Sequence, residues 1–419
     1  MGCCFVPADI LLPDFSRVDG GKWATIACDQ FTSRPEYWER VDELVGGSPS
    51  TLRLILPEYR LSDEEEALPG ILGCMEDYLG GLFKEYKNTM IYVERRLPSG
   101  RVRRGIVGAV DLECYDWRPG ALTLVRATEG TVPERIPPRV RIRRRAPLEL
   151  PHIMLLADDP ERRIVEHFGA HKESLKPAYD FDLMLWGGHI SAWFIDRGGI
   201  EHVSRELSRL SDPGVAAEKY GVWQDMPLAI AVGDGNHSLA TAKAVYEQVK
   251  AELGEAALSH PARYALAELV NIHDEALTFE PIFRVVFNTD PAALLSEFKK
   301  YCAGLGGGAP EQVFRVFAGG GEEVVRVGRP EHRLAVGTLQ KFLDEYRKAH
   351  KEIGVDYIHG EAELLSLTRR PRTVGFLYAG MTKDELFRTV IFDGSLPRKA
   401  FSMGHAEEKR YYIEARKIR

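Results

Sequence analysis

The sequence predicts a mixed α/β fold, with an α+β arrangement as the alternative. From residue 152 onward, short apolar runs alternate with helical patterns, as in βα units. Before that point, two apolar runs flank Pro98-Ser99-Gly100 and indicate a β-hairpin. The 419 residues are 44% hydrophobic and 28% charged, which is enough apolar material to offset the chain entropy of folding. A chain of this length predicts two or three domains or lobes.

We expect three parts along the chain. Residues 1–150 form an N-terminal lobe with the hairpin and arginine-rich strands. Residues 151–290 form the α/β core, and residues 291–419 form a C-terminal lobe and a charged tail.

The first part contains the predicted helices and the hairpin. Pro35–Leu44 follows a plausible N-cap at Ser33, and residues 62–86 have the pattern of two short helices. Residues 90–97 and 101–112 are the two hairpin strands.

The proline-framed segment 133–151 is strongly basic. If it is extended, alternate arginines share one face. Together with the hairpin arginines they predict a phosphate-attracting surface; the alternative is a solvated face on which arginines pair with local acids. The residues are Arg101, Arg103, Arg104, Arg139, Arg141, Arg143 and Arg145.

The later parts supply the remaining predicted elements. The strands are expected at residues 152–157, 190–195, 228–232, 264–272, 282–287, 373–378 and 388–392. The helices are expected at residues 159–168, 204–210, 239–253 and 409–419.

Charge and hydropathy restrict the class of protein. With 55 Lys+Arg against 62 Asp+Glu, the net charge of −7 argues against a dedicated nucleic-acid binder. No apolar run approaches the roughly 18–20 residues of a membrane-spanning helix, and the N-terminus lacks a signal-peptide pattern. The six cysteines show no metal-type spacing, so we expect reduced thiols and a cytoplasmic location.

The turn at residues 233–237 carries the strongest functional signal. An apolar strand runs into Gly233-Asp234-Gly235-Asn236-His237, and a helix follows directly. The free N–H groups and the positive dipole of a helix N-terminus attract anions, and the glycines permit close backbone approach. Asp234 is suited to bind a metal ion or accept a proton, and His237 to contact phosphate or act as an acid–base group. The alternative for either residue is a helix cap or a buried polar group with a structural role.

A second basic segment lies near the C-terminus. Arg398 and Lys399 stand close to Ser402 in a short polar turn, a combination that suits phosphate binding. The alternative is an exposed, charged tail.

The 233–237 turn resembles that of the family known as domain of unknown function 1015, which usually has Asp-Gly-His-His-Arg there. It is also similar to the phosphate- or nucleotide-binding turn of the superfamily of ParB, sulfiredoxin and free serine kinase. In this chain Asn236 replaces the first histidine and Ser238 the arginine. Phe283 replaces a further histidine, although Arg284 is retained. Other segments that resemble the family are residues 27–31, 158–161, 279–284 and 396–402.

The resemblance implies a ParB/sulfiredoxin-like mixed-sheet core with added N-terminal and C-terminal lobes. It implies a nucleotide-dependent phosphotransferase that acts on a small hydroxylated metabolite, with free serine or phosphoserine as the best guess, in the kinase or the reverse phosphatase direction. The expected partners are that metabolite and a nucleotide, with ATP or ADP as phosphoryl donor and Mg²⁺ held by Asp234. The expected catalytic residues are Asp29, Asp234 and His237. The expected phosphate-binding or nucleotide-binding residues are Gly233, Gly235, Asn236, Ser238, Arg284, Arg398, Lys399 and Ser402.

Two other functions remain open from the sequence. One is a nucleotide-sensing regulator or nucleic-acid-binding module that uses the turn and the arginine-rich segment. The other is a phosphoester hydrolase. Cys28, beside Asp29, is open to a sulfiredoxin-like nucleophile or a buried structural cysteine, and the latter is favoured because the turn itself has Asn236 in the nucleophile's place.

Overall fold

A computed structural model describes residues 4–118, 120–131, 133–397 and 399–419. The described chain divides into two compact units. The larger comprises the described residues of Met1–Ala127, Thr131–Leu277 and His405–Arg419, and the smaller those of Thr128–Gly130 and Thr278–Gly404.

The strands are numbered in chain order. They are β1 (Phe5–Val6), β2 (Ala8–Pro13), β3 (Phe83–Arg96), β4 (Val102–Asp111), β5 (Tyr115–Asp116), β6 (Val125–Ala127), β7 (Leu148–Glu149), β8 (Met154–Ala157), β9 (Lys176–Leu183), β10 (Gly188–Ile195), β11 (Ile230–Asp234), β12 (Tyr264–Asn271), β13 (Phe279–Phe287), β14 (Gln312–Ala318), β15 (Gly321–Val327), β16 (Gly354–His359), β17 (Thr373–Tyr378), β18 (Phe401–Met403) and β19 (Arg416–Lys417).

The α-helices are numbered in the same way. They are α1 (Gly20–Trp23), α2 (Pro35–Val45), α3 (Glu64–Leu79), α4 (Ile136–Arg145), α5 (Val165–His171), α6 (Arg197–Leu210), α7 (Pro213–Tyr220), α8 (Asn236–Leu253), α9 (Pro291–Ala303), α10 (Ala335–Ala349), α11 (Glu361–Leu367) and α12 (Lys383–Phe392).

The larger unit is built on a mixed sheet in the order β5-β6-β11-β8-β12-β4-β3-β10-β9. The β8–β12 and β6–β11 pairs are parallel, whereas β8 and β11 are antiparallel. The predicted mixed α/β fold is therefore confirmed. The sheet also places the residues just before β8 beside the turn that follows β11, because antiparallel neighbours run in opposite directions.

Both faces of this sheet are buried. Along β3, Met90 and Tyr92 join one hydrophobic cluster, while Ile91 and Val93 join the other. Side chains of a strand alternate between faces, so a strand covered on both sides is apolar at successive positions. Helix α8 packs on the first face, and the N-terminal and C-terminal segments pack on the second.

The smaller unit contains its own antiparallel sheet, in the order β15-β14-β17-β13-β16, with β18 paired to β13. The Gly404 N–H donates to the Thr278 carbonyl at 3.1 Å. The two ends of the segment 278–404 therefore meet.

The larger unit crosses the predicted boundary at residue 150. Hairpin strands β3 and β4 pair with β10 and β12, which belong to the predicted second part. Because a single sheet draws strands from both parts, residues 1–150 do not form a separate lobe.

The arginine-rich segment is helix α4, not the predicted strand. Pro137 and Pro138 lie in its first turn, where proline is tolerated, and arginine is a good helix former. Four of its arginines pair with acids, as the alternative interpretation expected. The pairs are Arg139–Glu58 at 2.8 Å, Arg141–Glu64 at 3.4 Å, Arg143–Glu149 at 2.6 Å and Arg144–Glu252 at 2.5 Å.

Three further expectations were wrong. Residues 62–86, expected to form two short helices, contain helix α3 and the beginning of strand β3. Residues 388–392 belong to helix α12, whose start is a capping box in which Thr382 and Glu385 bond reciprocally. Residues 409–419 do not form a helix; they are largely buried against the N-terminal segment, with bridges such as Ile26–Tyr411. Within the described ranges, no helix has the length and apolar character needed to cross a membrane.

Candidate functional site

The turn after β11 has a geometry that requires glycine. Gly235 separates β11 from α8 and has a φ of 83°. A Cβ atom at this position would lie 3.0 Å from the Cα of Ile153. The turn thus lies directly against the backbone that leads into β8.

The N-terminus of α8 is the electropositive part of the site. Its N-cap is Gly235, which has no side chain to accept hydrogen bonds from the first turn, and its carbonyl accepts from Leu239 N–H at 3.0 Å. An N-terminus of this kind favours bound anions.

Asp234 and Lys409 form an ion pair beside this N-terminus. The Asp234 Oδ2 lies 3.2 Å from Lys409 Nζ, and its Oδ1 accepts the Gly235 N–H at 2.9 Å. Burial alone would raise the pKa of Asp234, but the charge and hydrogen bond of Lys409, together with the Gly235 N–H, hold that pKa below its ordinary value. The carboxylate is therefore ionised and positions the ammonium group.

Lys409 is held there by buried arginines of the sheet. Arg95 donates to the carbonyls of Glu407 at 2.7 Å and Glu408 at 3.0 Å, and also to that of Lys409. Arg103 donates to the Glu408 carbonyl at 2.9 Å. These bonds fix the backbone of the segment that carries the lysine.

A chain of hydrogen bonds links the turn to the N-terminal and C-terminal segments. Ser238 Oγ lies 3.1 Å from His152 Nε2, and His152 Nδ1 lies 3.0 Å from the Tyr412 hydroxyl. The Tyr412 hydroxyl in turn lies 3.4 Å from Cys28 Sγ and accepts the Cys28 N–H at 3.3 Å. Residues far apart in sequence therefore meet at one place.

The Cys28 thiol is poorly reactive in this environment. Burial, followed by the negative charge of Asp29, raises the pKa of the Cys28 thiol to about 12. At neutral pH the thiolate fraction is on the order of one in 10⁵, and the thiolate is the reactive form. This favours the structural interpretation of Cys28. Asp29 itself is half-buried and accepts a hydrogen bond from Gln30 Nε2 at 2.9 Å.

The chain matches one known protein family over most of its length. The sequence profile of the family described as "Protein of unknown function (DUF1015)" matches residues 14–415. The chain belongs to this family. The resemblance predicted from the motifs is thereby confirmed. No curated protein matches the chain.

Several solved structures are similar to this DUF1015 member. A conserved hypothetical protein from Pyrococcus furiosus is 16% identical, with 42% of this chain and 70% of that chain covered and a TM-score of 0.29. Free serine kinase in complex with AMP is 11% identical, with coverage of 73% and 90% and a TM-score of 0.39. C-terminally truncated SbnI from Staphylococcus aureus is 10% identical, with coverage of 71% and 82% and a TM-score of 0.35.

The turn residues predicted for this DUF1015 site lie together in the larger unit. Gly233 and Asp234 end β11, and Asn236 to Ser238 form the first turn of α8. His237 is half-buried, and its carbonyl accepts from Thr241 Oγ1 at 2.7 Å. Asp29 follows Cys28 in the chain, and its negative charge acts on the Cys28 thiol. The functional roles of these residues stay predictions.

The other predicted ligands belong to the smaller unit. Arg284 is fully buried, and its guanidinium donates to Gln340 Oε1 at 2.9 Å, to the Ile282 carbonyl at 2.6 Å and to the Lys399 carbonyl at 3.0 Å. These contacts give Arg284 a packing role, and its predicted phosphate contact has no support in this geometry. Ser402 Oγ donates to the Gly404 carbonyl at 3.1 Å. Ligand contacts of Lys399 and Ser402 stay predictions, and Arg398 lies outside the described residues.

The predicted Mg²⁺ site at Asp234 is not supported by the donor set. One oxygen of this carboxylate accepts a backbone N–H and the other pairs with Lys409. In the part of the chain that the structure describes, no three His, Cys, Asp or Glu side chains are grouped to hold a metal ion. Mg²⁺ bound by so few protein ligands would depend on substrate phosphates.

Sequence reasoning missed His152, Lys409 and Tyr412. His152 precedes β8 and comes near the turn only through the antiparallel β8–β11 pair. For the C-terminal residues a signal was present, because Tyr411-Tyr412-Ile413 is an apolar run unsuited to an exposed tail.

Proposed function

We propose that this protein is a nucleotide-dependent phosphotransferase that acts on a small hydroxylated metabolite. Free serine and phosphoserine are the first substrates to test, in either direction. The observation that carries the proposal is the placement of Lys409 beside the glycine-capped N-terminus of α8.

Phosphoryl transfer needs fixed positive groups around the phosphates more than covalent help from the protein. Here the helix N-terminus supplies oriented N–H groups and Lys409 supplies a full charge. In the absence of ligand, the Asp234 carboxylate holds the Lys409 ammonium group in place. A bound phosphate would share this ammonium group with Asp234.

Asp29 is the proposed base for the acceptor hydroxyl. Its carboxylate adjoins Cys28, which lies in contact with Tyr412 and through it with His152. The base must lie where the acceptor hydroxyl approaches the phosphates, and Asp29 is proposed to take that position. His237, at the first turn of α8, is proposed to contact the phosphates.

Nucleic acid is a less suitable partner. The arginines of α4 suggested a polyanion surface, but four of them are paired with acids of other elements. Paired arginines give a weak field, so a small phosphorylated ligand at the turn fits the charges better.

The test is binding followed by turnover. Thermal unfolding is measured with ATP, ADP, AMP and pyrophosphate, and donor consumption is measured with Mg²⁺ and a panel of hydroxy amino acids. We expect Lys409→Met to weaken nucleotide binding about 10- to 100-fold, the worth of one charge-assisted hydrogen bond. We expect Asp29→Asn to abolish turnover while leaving binding intact.

Lys417→Met is the matched control, since Lys417 lies in the same segment but is half-exposed and pairs with Glu85 at 3.3 Å. It should bind nucleotide as the unmodified protein does. If no phosphoryl donor is consumed and none raises the melting temperature, the phosphotransferase proposal is wrong.

A further inference from the structure

We propose that Ser238 is a covalent nucleophile, with His152 as its base and Tyr412 as the group that orients the His152 ring. Within the proposed function, on which this inference rests, Ser238 carries the phosphoryl group between donor and acceptor.

The distances suit these roles. Ser238 Oγ to His152 Nε2 is 3.1 Å, and His152 Nδ1 to the Tyr412 hydroxyl is 3.0 Å. A nucleophile within hydrogen-bond reach of a base, itself oriented by a third group, is the arrangement that activates serine in enzymes. The histidine and tyrosine rings also meet edge to face, with centroids 5.8 Å apart.

The proposal requires the tautomer of His152 that is protonated at Nδ1. In that tautomer the Tyr412 hydroxyl donates to Cys28 Sγ, and its oxygen accepts a hydrogen bond from the His152 Nδ1–H. Nε2 is then unprotonated and accepts the Ser238 hydroxyl proton. Burial raises the pKa of Tyr412 well above its ordinary value, which keeps the phenol neutral and able to donate.

The position of Ser238 favours an anionic oxygen. It is the third residue of α8, an 18-residue helix, so its Oγ lies by the positive end of the dipole. Lys409 and the oriented N–H groups of the same turn face charge that develops on the phosphorus oxygens.

The proposed reaction has two steps, phosphorylation of Ser238 and transfer of the phosphoryl group to the acceptor. Ser238 Oγ attacks the γ-phosphorus and its proton moves to His152 Nε2. The bond from that phosphorus to the β,γ-bridging oxygen breaks, and the nucleoside diphosphate leaves with the electron pair. The acceptor hydroxyl then attacks the phosphorus and gives its proton to Asp29. The Oγ–P bond breaks, and Oγ takes back the proton from His152.

The experiment traps the intermediate. The full chain is mixed with ATP labelled at the γ-phosphate and Mg²⁺, without acceptor, then denatured and mapped by peptide mass spectrometry. We expect one phosphoryl group on Ser238, none in Ser238→Ala, and labelling slowed about 10²- to 10⁴-fold in His152→Gln. Addition of serine should remove the label. Thr241→Ala, one turn along the same helix, is the matched control and should label normally.

A fluorophosphonate reagent provides a second readout that needs no nucleotide. Ser238 should react with it, and His152→Gln should slow that reaction. If Ser238→Ala folds and transfers phosphoryl groups as fast as the unmodified protein, the nucleophile is overturned while the phosphotransferase stands. If nucleotide is neither bound nor consumed but the reagent labels Ser238, the nucleophile is supported and the nucleotide donor is overturned. Absence of both labels overturns the inference.

Discussion

At the residue scale, Gly235 sets the geometry of the turn. Its positive φ turns the chain from β11 directly into α8, and its missing side chain allows contact with the backbone at Ile153. Both requirements apply at the same position, so no L-residue with a side chain fits without strain.

A comparison of Gly235→Ala with Gly221→Ala separates the cost of a positive φ from the cost of the close contact with Ile153. Gly221 also has a positive φ, of 77°, but a Cβ atom there would meet no atom of the described residues within 4 Å. We expect Gly221→Ala to lower the free energy of unfolding by about 1–2 kcal/mol. Gly235→Ala should cost a further ~1–3 kcal/mol from the close contact. Urea unfolding measures both, and equal losses would contradict the role of Ile153.

The ionisation of Asp234 links the site to pH. Its pKa is lower in the folded protein than in the unfolded chain, so its ionised form stabilises the fold above the unfolded pKa. That contribution is lost as the pH falls through the lower, folded value.

Lys409→Met should reverse the direction of the Asp234 pKa shift. With the main positive charge removed, burial dominates and the pKa of Asp234 rises. The carboxyl should then protonate at a higher pH, which an NMR titration of Asp234 would show. Lys417→Met should leave that titration unchanged, and an unchanged titration in Lys409→Met would contradict the pairing.

At the element scale, the C-terminal segment is held by buried ion pairs. Arg410 lies 2.6 Å from Glu268 and 3.2 Å from Glu414, and Tyr179 donates to Glu414 at 2.6 Å. Because buried charges without partners are costly, each member depends on the others. This network helps to place Lys409, one residue before Arg410, and Tyr412, two residues after it, at the turn.

Arg410→Met should therefore destabilise the protein by about 3–5 kcal/mol, because Glu268 and Glu414 each lose a buried cationic partner. Arg326→Met removes an exposed pair with Glu311 at 3.1 Å, and should cost about 0–1 kcal/mol. Chemical denaturation of the two variants provides the comparison. Similar losses in both would show that the buried pairs contribute little.

At the scale of the whole molecule, the smaller unit is an insertion with adjoining ends. β18 pairs with the beginning of β13, and the Gly404 N–H bonds to Thr278. A short connection can thus replace the residues between them without a stretched backbone.

We expect a chain in which a short glycine linker replaces residues 279–403 to fold as the larger unit. Its mixed sheet, both hydrophobic clusters and the bonds around His152 lie within that unit. Circular dichroism and cooperative urea unfolding would test this. An unfolded product would show that the larger unit requires the inserted segment.

Local patterns predicted much of the fold. The hairpin, the strand–turn–helix at Gly235 and strand β17 follow from turn residues and apolar periodicity, which act over a few neighbours. The arginines at every second position of residues 139–145 predicted a strand, but this segment is helix α4. The helix propensity of arginine and ion pairs with acids of distant elements, such as Arg139 with Glu58, favoured the helix over the strand. The helix at 383–392 could have been predicted, because the residues of its capping box, Thr382 and Glu385, have the characteristic spacing in the sequence.

The sequence by itself determined the mixed α/β class, the family and the turn from Gly233 to Ser238, because these depend on contiguous residues. Only the tertiary structure brought His152, Lys409 and Tyr412 to that turn. Their approach depends on an antiparallel strand pair and on buried arginines that hold the C-terminal segment. Such long-range pairings arise when the whole core is buried at once, and no local pattern specifies them.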